Sequence, residues 1–242
     1  MLYKQFIKNY KEDYKKYNGW LKKETSHYIF NYFDNKFIKE HINRISKIQE
    51  NSNNKIFEFL GIRNAKKINY YIYPSEFLKS KYMGNPIYAQ SVYKDYSVHI
   101  VYNKKIRPLG PHEDTHLISL KFGLPPSFFA EGLAESIASK KRFFNGKSRK
   151  YFIKKWLNKY DKDSLSNFFI QKGWLDTPDN ESGEFYSIAM SFTLYLIKVF
   201  GKEKFFKLYK KINRNMTIKQ IVYTMEKVFL MDYEQIISNW KI

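Results

Sequence analysis

The first hundred residues alternate between short aromatic segments and one long amphipathic stretch. Residues 26–33 and 67–74 are rich in aromatic and β-branched side chains, which predicts two strands. Residues 34–61 carry apolar side chains at helical spacing, which predicts a helix with Asp34 as N-cap and Gly61 as its stop. Residues 88–103 predict one or two more strands, with a hairpin turn near Lys94–Asp95.

From Pro108 onward the pattern becomes helical. The predicted helices span residues 111–122, 127–143, 147–160, 184–200, 202–213, 217–229 and 232–241, with glycines at several of the breaks. Residues 161–186 are polar and rich in turn residues, which predicts a long connection. Such a connection is either a surface crossover or a functional loop, and the pattern does not decide between the two.

The order of these elements predicts an α+β fold. Residues 1–105 form a small mixed α/β layer with a short sheet, and residues 106–242 form a mostly helical part. The helices between these two parts carry the residues with the most distinctive chemistry.

Composition adds a basic surface to this picture. The chain has 242 residues, of which 43% are hydrophobic, so it can bury a core and is not expected to be disordered. Its formal net charge of +20 would attract anionic partners such as acidic peptides, anionic polymers or nucleic acid. Most of the lysines are spread along the chain, so the first interpretation is a solvated surface.

Cysteine usage and hydropathy limit the remaining options. The chain has no cysteine, so a metal site would have to use His, Asp or Glu. The N-terminal segment has no apolar run of signal-peptide length, and no segment is apolar over the length of a membrane span. We therefore expect no membrane span. A cytoplasmic location is the default expectation, and export applies if a signal has been removed.

Two histidines lie four residues apart in the segment HEDTH. If Pro111 starts a helix, His112 and His116 lie one turn apart on the same face, where both imidazoles can bind one Zn²⁺. Glu113 points about 100° further round the helix and can reach a water near that ion. This is the H-E-x-x-H pattern of metallopeptidases, in which the glutamate is the general base.

A second acidic segment supplies the third ligand. Gly123 and the Pro125–Pro126 pair predict a sharp reversal, after which Ser127 caps a helix that carries Glu131 and Glu135. Glu131 is predicted to complete the zinc site, and Gly132 to let the two site helices approach closely. Glu135, on the same face, is predicted to accept the ring N–H of a ligand histidine.

The other three histidines are given a structural role. His27 and His99 are expected in strands and His41 on a helix, without a second histidine at ligand spacing. The alternative for Glu131 and Glu135 is an exposed acidic stripe. The apolar and small residues around them argue against it, because two buried carboxylates would be costly without a cation.

The segments HEDTH (112–116) and EGLAE (131–135) resemble the gluzincins of the thermolysin-like peptidase clan. The resemblance implies a zincin-like fold, a catalytic helical subdomain within one integrated unit, and a peptide or protein substrate. It also implies His112, His116 and Glu131 as zinc ligands and Glu113 as base, with Glu135 orienting the first histidine. A weaker match at 185–209 implies that Tyr186 stabilises the oxyanion.

Some features depart from that family or leave other functions open. Fourteen residues separate His116 from Glu131, fewer than in the best-known members, and residue 130 is Ala rather than Asn. No motif for gripping a free N-terminus is present, which favours an endopeptidase. Residues 139–160 hold nine Lys or Arg and no acid, so they could contact an acidic substrate. Nucleic acid is not the expected partner, because no nucleic-acid fold motif accompanies these residues. The alternatives are a catalytically silent zincin-like binding protein and a basic module for envelope polymers or nucleic acid.

Overall fold

The computed structural model describes residues 10–138, 147–161 and 163–240. They fall into two compact units, one within Leu2–Ile118 and the other within Ser119–Ile242. The first contains a five-stranded sheet and the second is helical, which confirms the predicted α+β class.

The sheet of the first unit has the order β1-β2-β3-β5-β4. Its strands are β1 (Leu21–Glu24), β2 (Tyr28–Tyr32), β3 (Ile68–Tyr73), β4 (Ala89–Val92) and β5 (Ser97–Val101). β2, β3 and β5 run parallel, whereas β1 and β4 pair antiparallel at the two edges. The hairpin predicted over 88–103 is confirmed as β4 and β5, with its turn at residues 93–96.

The long helix α1 (Lys36–Leu60) connects the parallel strands β2 and β3. Its N-cap is Asn35 rather than the predicted Asp34, because the Asn35 side chain accepts the Ile38 amide at 3.2 Å. The Asp34 carboxylate instead accepts a hydrogen bond from Lys39. Gly61 ends the helix in the left-handed conformation, with φ at 66°, as the sequence predicts.

One strand and one α-helix described in this unit were not predicted, nor was a 3-10 turn at Asp13–Lys16. β1 alternates half-buried and exposed positions and is half lysine, so its sequence does not resemble a buried strand. Helix α2 (Glu76–Met83) buries only Lys79 and Met83, and therefore has no apolar stripe to reveal it.

The helical unit follows the predicted spacing closely. Helix α3 (His112–Ile118) is the last helix of the first unit. The helices of the second unit are α4 (Ser127–Ala138), α5 (Arg149–Leu157), α6 (Gln171–Leu175), α7 (Ser182–Lys211), α8 (Ile218–Phe229) and α9 (Tyr233–Asn239). The predicted helix 127–143 and basic segment 139–160 extend into 139–146, which lie outside the described residues. Gly201 has non-helical backbone angles, with φ at 83°, and so separates two helical segments of α7 as predicted.

The expectation of one long connection over 161–186 is wrong. That stretch holds the short helix α6, two 3-10 turns at Asp163–Phe168 and Asp179–Glu181, and the start of α7. Its aromatic side chains explain the difference, because Phe169 and Trp174 are buried and hold these short helices by packing.

The length and hydropathy of the helices decide whether they could span a membrane. Among the helices within the described parts of the chain, none has both the length and the apolar content needed to cross a bilayer.

Candidate metal centre

The two histidines of HEDTH lie on helix α3 (His112–Ile118), which a 3-10 turn at Ser119–Phe122 continues. Proline at 111 precedes the helix, and both the amide and the hydroxyl of Thr115 donate to the Pro111 carbonyl. The rings of His112 and His116 cross at 81°, and their Nε2 atoms are 3.3 Å apart. The helix therefore brings the two imidazole nitrogens to one point, as the spacing predicts.

The opposite face of α3 is anchored inside the first unit. Asp114 is fully buried, and its Oδ2 accepts hydrogen bonds from Tyr28 at 2.6 Å and from Gln49 at 2.9 Å. Burial raises the pKa of the Asp114 carboxyl to about 7; the hydrogen bonds oppose the rise, and the charge of Glu113 adds to it. Asp114 therefore lies on the core-facing side of α3, and helix geometry places His112 and His116 on the opposite side of the helix axis.

An aromatic ring contacts α3, and a buried amine of the same unit interacts electrostatically with Glu113. The ring of Tyr93, in the β4–β5 turn, meets the His116 ring edge-to-face at 6.4 Å. Lys79 of α2 is fully buried and donates to Asn85 at 2.9 Å and to Gln90 at 2.7 Å. Burial lowers the pKa of Lys79 to about 7, and the charge of Glu113 acts in the opposite direction.

Glu131 and Glu135 lie one turn apart on α4. Glu131 is half-buried, whereas Glu135 is only 4% exposed and forms an ion pair with Arg149 of α5. Burial lowers the pKa of Arg149 to about 10. Arg149, which no sequence motif singled out, thus provides a cation for the buried carboxylate.

Helix α4 packs closely against α7 through Gly132. A Cβ at that position would lie 2.3 Å from the Thr193 hydroxyl and 2.5 Å from the Ala189 carbonyl. Gly132 was predicted to let the two site helices approach each other, but the atoms nearest to it belong to α7. Ser127 is the first residue of α4, and its amide and hydroxyl both bond to the Gln171 side chain.

The three predicted ligands form one group that could hold a metal ion. His112, His116 and Glu131 each present a ligand atom, and these atoms all lie within 4.8 Å of one another. The donors are two imidazoles and a carboxylate, a set that suits zinc in a site with one open position.

The other predicted site residue lies on α7. Tyr186 is half-buried, and its ring packs edge-to-face on Trp174 of α6 at 5.5 Å. Its role at an oxyanion stays a prediction.

The remaining histidines make packing and pairing contacts. His27 lies one residue before β2 rather than within it, and its Nδ1 is 2.6 Å from the Glu50 carboxylate. The Nδ1 of His41 is 2.8 Å from the Phe37 carbonyl. His99 of β5 is fully buried between Tyr73 and Ser97, and burial lowers its pKa. These contacts fit the structural role given to all three.

The sequence interpretation missed the residues behind the histidine helix. One local signal was present: Gln49 lies on the apolar stripe of α1, four residues after Ile45 and seven before Ile56, where a polar side chain must be buried. Asp114 offered no such signal, because its partners are 65 and 86 residues away.

Comparison with known proteins does not identify a family for this chain. No protein-family model matches the sequence, and no curated protein matches it.

Proposed function

We propose that this chain is a zinc-dependent peptidase, with His112, His116 and Glu131 as metal ligands and Glu113 as the general base. The observation that carries the proposal is the convergence of the three ligand atoms within 4.8 Å. The H-E-x-x-H order adds a base beside the site, which a purely structural metal site does not need.

The spacing of the histidine nitrogens supports this metal. Ligand atoms about 2.05 Å from a tetrahedral zinc lie about 3.4 Å from one another. The two Nε2 atoms, 3.3 Å apart, already have that separation. For an atom 4.8 Å away, Glu131 would have to move on the order of 1 Å toward the ion, which a side-chain rotation can supply.

Different residues of the proposed metal site would carry different steps of peptide hydrolysis. When bound, zinc would supply a Lewis acid that acidifies water and polarises a carbonyl group. Glu113, next to the first ligand, takes a proton from the attacking water and returns it to the leaving amine. Tyr186 is assigned to the developing oxyanion, and Glu135, held by Arg149, to the orientation of a ligand histidine.

The substrate class follows from the chemistry and the charge. A peptide or protein is the proposed substrate, and the net charge of +20 favours acidic sequences near the scissile bond. The described basic residues of α5, among them Lys154 and Lys155, lie on the helix that also supplies Arg149.

A mixed peptide library tests the reaction. Zinc-loaded protein should cleave it, and a chelator should abolish cleavage. Glu113→Gln should retain zinc and lose at least about a hundredfold in rate, because a positioned base contributes 10²–10⁴-fold. His116→Ala should lose both zinc and cleavage, whereas Glu58→Gln, an exposed change on α1, should alter neither.

The outcomes separate the alternatives. Zinc binding without cleavage by the wild type would favour a silent binding protein. Equal loss of zinc from Glu113→Gln and His116→Ala would reject the division of roles between base and ligand.

A further inference from the structure

A buried carboxyl on the core-facing side of the histidine helix has no part in the proposed reaction. Asp114 stands between the two histidines in sequence, and none of its surface is exposed. Burying a carboxyl is costly unless hydrogen bonds satisfy it. The hydrogen-bond partners of Asp114 therefore indicate its role in the structure.

Tyrosine and glutamine side chains fix Asp114 from the sheet and from α1. The Tyr28 hydroxyl of β2 lies 2.6 Å from Asp114 Oδ2 and 2.9 Å from the Gln49 backbone carbonyl. The Gln49 side chain donates to the same Oδ2 at 2.9 Å. Both partners are themselves fully buried, so the carboxyl is held by groups that are already fixed by packing.

Gln49 also holds the chain just before the helix. Its Oε1 accepts the Gly110 amide at 2.9 Å, and its Nε2 donates to the Gly110 carbonyl at 3.2 Å. Gly110 has φ at 138°, a conformation that favours glycine. One side chain of α1 thus fixes both the approach to α3 and the first turn of α3.

Because of helix geometry, the fixed position of Asp114 also determines the direction of the two histidine side chains. Successive residues are about 100° apart around the axis, so a residue two positions away lies about 200° round. His112 and His116 therefore both lie roughly opposite Asp114 and about 40° from each other. Fixing Asp114 in the core fixes the rotation of the helix and hence the direction of both imidazoles.

We propose that Asp114 is a positioning residue, which Tyr28 and Gln49 hold so that the two histidine nitrogens converge before a metal binds. The inference rests on the metal site of the proposed function but not on peptide cleavage. It predicts that removing the anchor weakens metal binding while every ligand remains present. Residues that orient ligands from outside the coordination shell typically contribute about tenfold to a hundredfold in affinity.

The test is a zinc titration of the purified full chain, with a competing chelator, in parallel with unfolding of the zinc-free protein. Asp114→Ala should weaken zinc binding by about tenfold to a hundredfold, and Tyr28→Phe by about tenfold. Asp114→Asn keeps an acceptor oxygen and should recover part of the affinity lost in Asp114→Ala. The Co²⁺ absorption spectrum of each variant should change in parallel, because it reports the geometry of the ligands.

Tyr73→Phe is the matched control. Tyr73 is a fully buried tyrosine of β3 whose hydroxyl bonds to a buried group, the His99 ring, rather than to Asp114. The Tyr73→Phe variant should be less stable than the wild type but should bind zinc with the same affinity. Equal weakening by Tyr73→Phe, or normal affinity in Tyr28→Phe and Asp114→Ala, would overturn the positioning role.

The same titration separates the two proposals. The predicted order of affinities in a protein that cleaves no peptide supports the positioning role and rejects the peptidase. Absence of zinc binding by the wild type rejects both. Cleavage by a wild type whose anchor variants bind zinc normally rejects the positioning role alone.

Discussion

Lys79 places a buried amine in the same unit as the histidine helix. Its two hydrogen-bond partners, Asn85 and Gln90, are neutral, so burial dominates and lowers the pKa of Lys79 to about 7. The unfolded chain therefore binds one more proton than the folded chain between pH 7 and the ordinary lysine pKa of about 10.4. The contribution of Lys79 to the free energy of unfolding should therefore rise with pH through that window and stay constant at lower pH, where both states carry the proton.

The resulting prediction concerns pH-dependent stability. Wild type should gain on the order of 1–2 kcal/mol relative to Lys79→Met between pH 7 and pH 9. Urea unfolding at several pH values measures the difference. Lys81→Met, an exposed change on the same helix, should follow the wild-type pH dependence. Parallel curves for wild type and Lys79→Met would mean that the buried amine keeps its proton across this range.

At the scale of elements, Gly132 sets the distance between α4 and α7. A methyl group there would overlap the Ala189 backbone carbonyl, which cannot rotate away as a side chain can. Gly132→Ala should therefore destabilise the chain by about 1–3 kcal/mol, despite the better helix propensity of alanine. Thermal or urea unfolding measures the loss.

A second substitution shows whether the close contact between α4 and α7 causes the destabilisation by Gly132→Ala. Adding Thr193→Ala to Gly132→Ala removes the overlap with the hydroxyl but leaves the carbonyl in place. It should recover only part of the stability. A Gly132→Ala variant as stable as the wild type would show that the helices can separate without cost.

Local spacing predicted those elements whose burial follows a regular period. Helix α1 is an example, because its apolar stripe and Gly61 are both visible in the sequence. Helix α2 and strand β1 were missed because tertiary contacts, rather than an apolar face, place them. Candidate ligands could be proposed from the sequence because coordination chemistry sets their spacing. Asp114 and Arg149 could not, because their partners are distant in sequence or lie on a different helix.

At the scale of the whole molecule, charge bears on substrate choice. A net charge of +20 attracts acidic peptides over distances near the Debye length, about 10 Å at 0.1 M salt. If the chain is a peptidase, kcat/KM for an acidic peptide should fall several-fold between 50 mM and 300 mM salt. A neutral peptide with the same scissile bond should change little. Equal salt dependence of the two peptides would contradict charge-assisted binding.

Metal stoichiometry of the purified chain tests the central claim most directly. Zinc titration of the wild type should give one tightly bound ion per chain, while His116→Ala should lose that ion. His41→Ala, which removes a histidine that bonds to its own helix, should keep it. Wild-type protein that binds no zinc after reconstitution, or zinc binding that His116→Ala leaves unchanged, would contradict the proposed site.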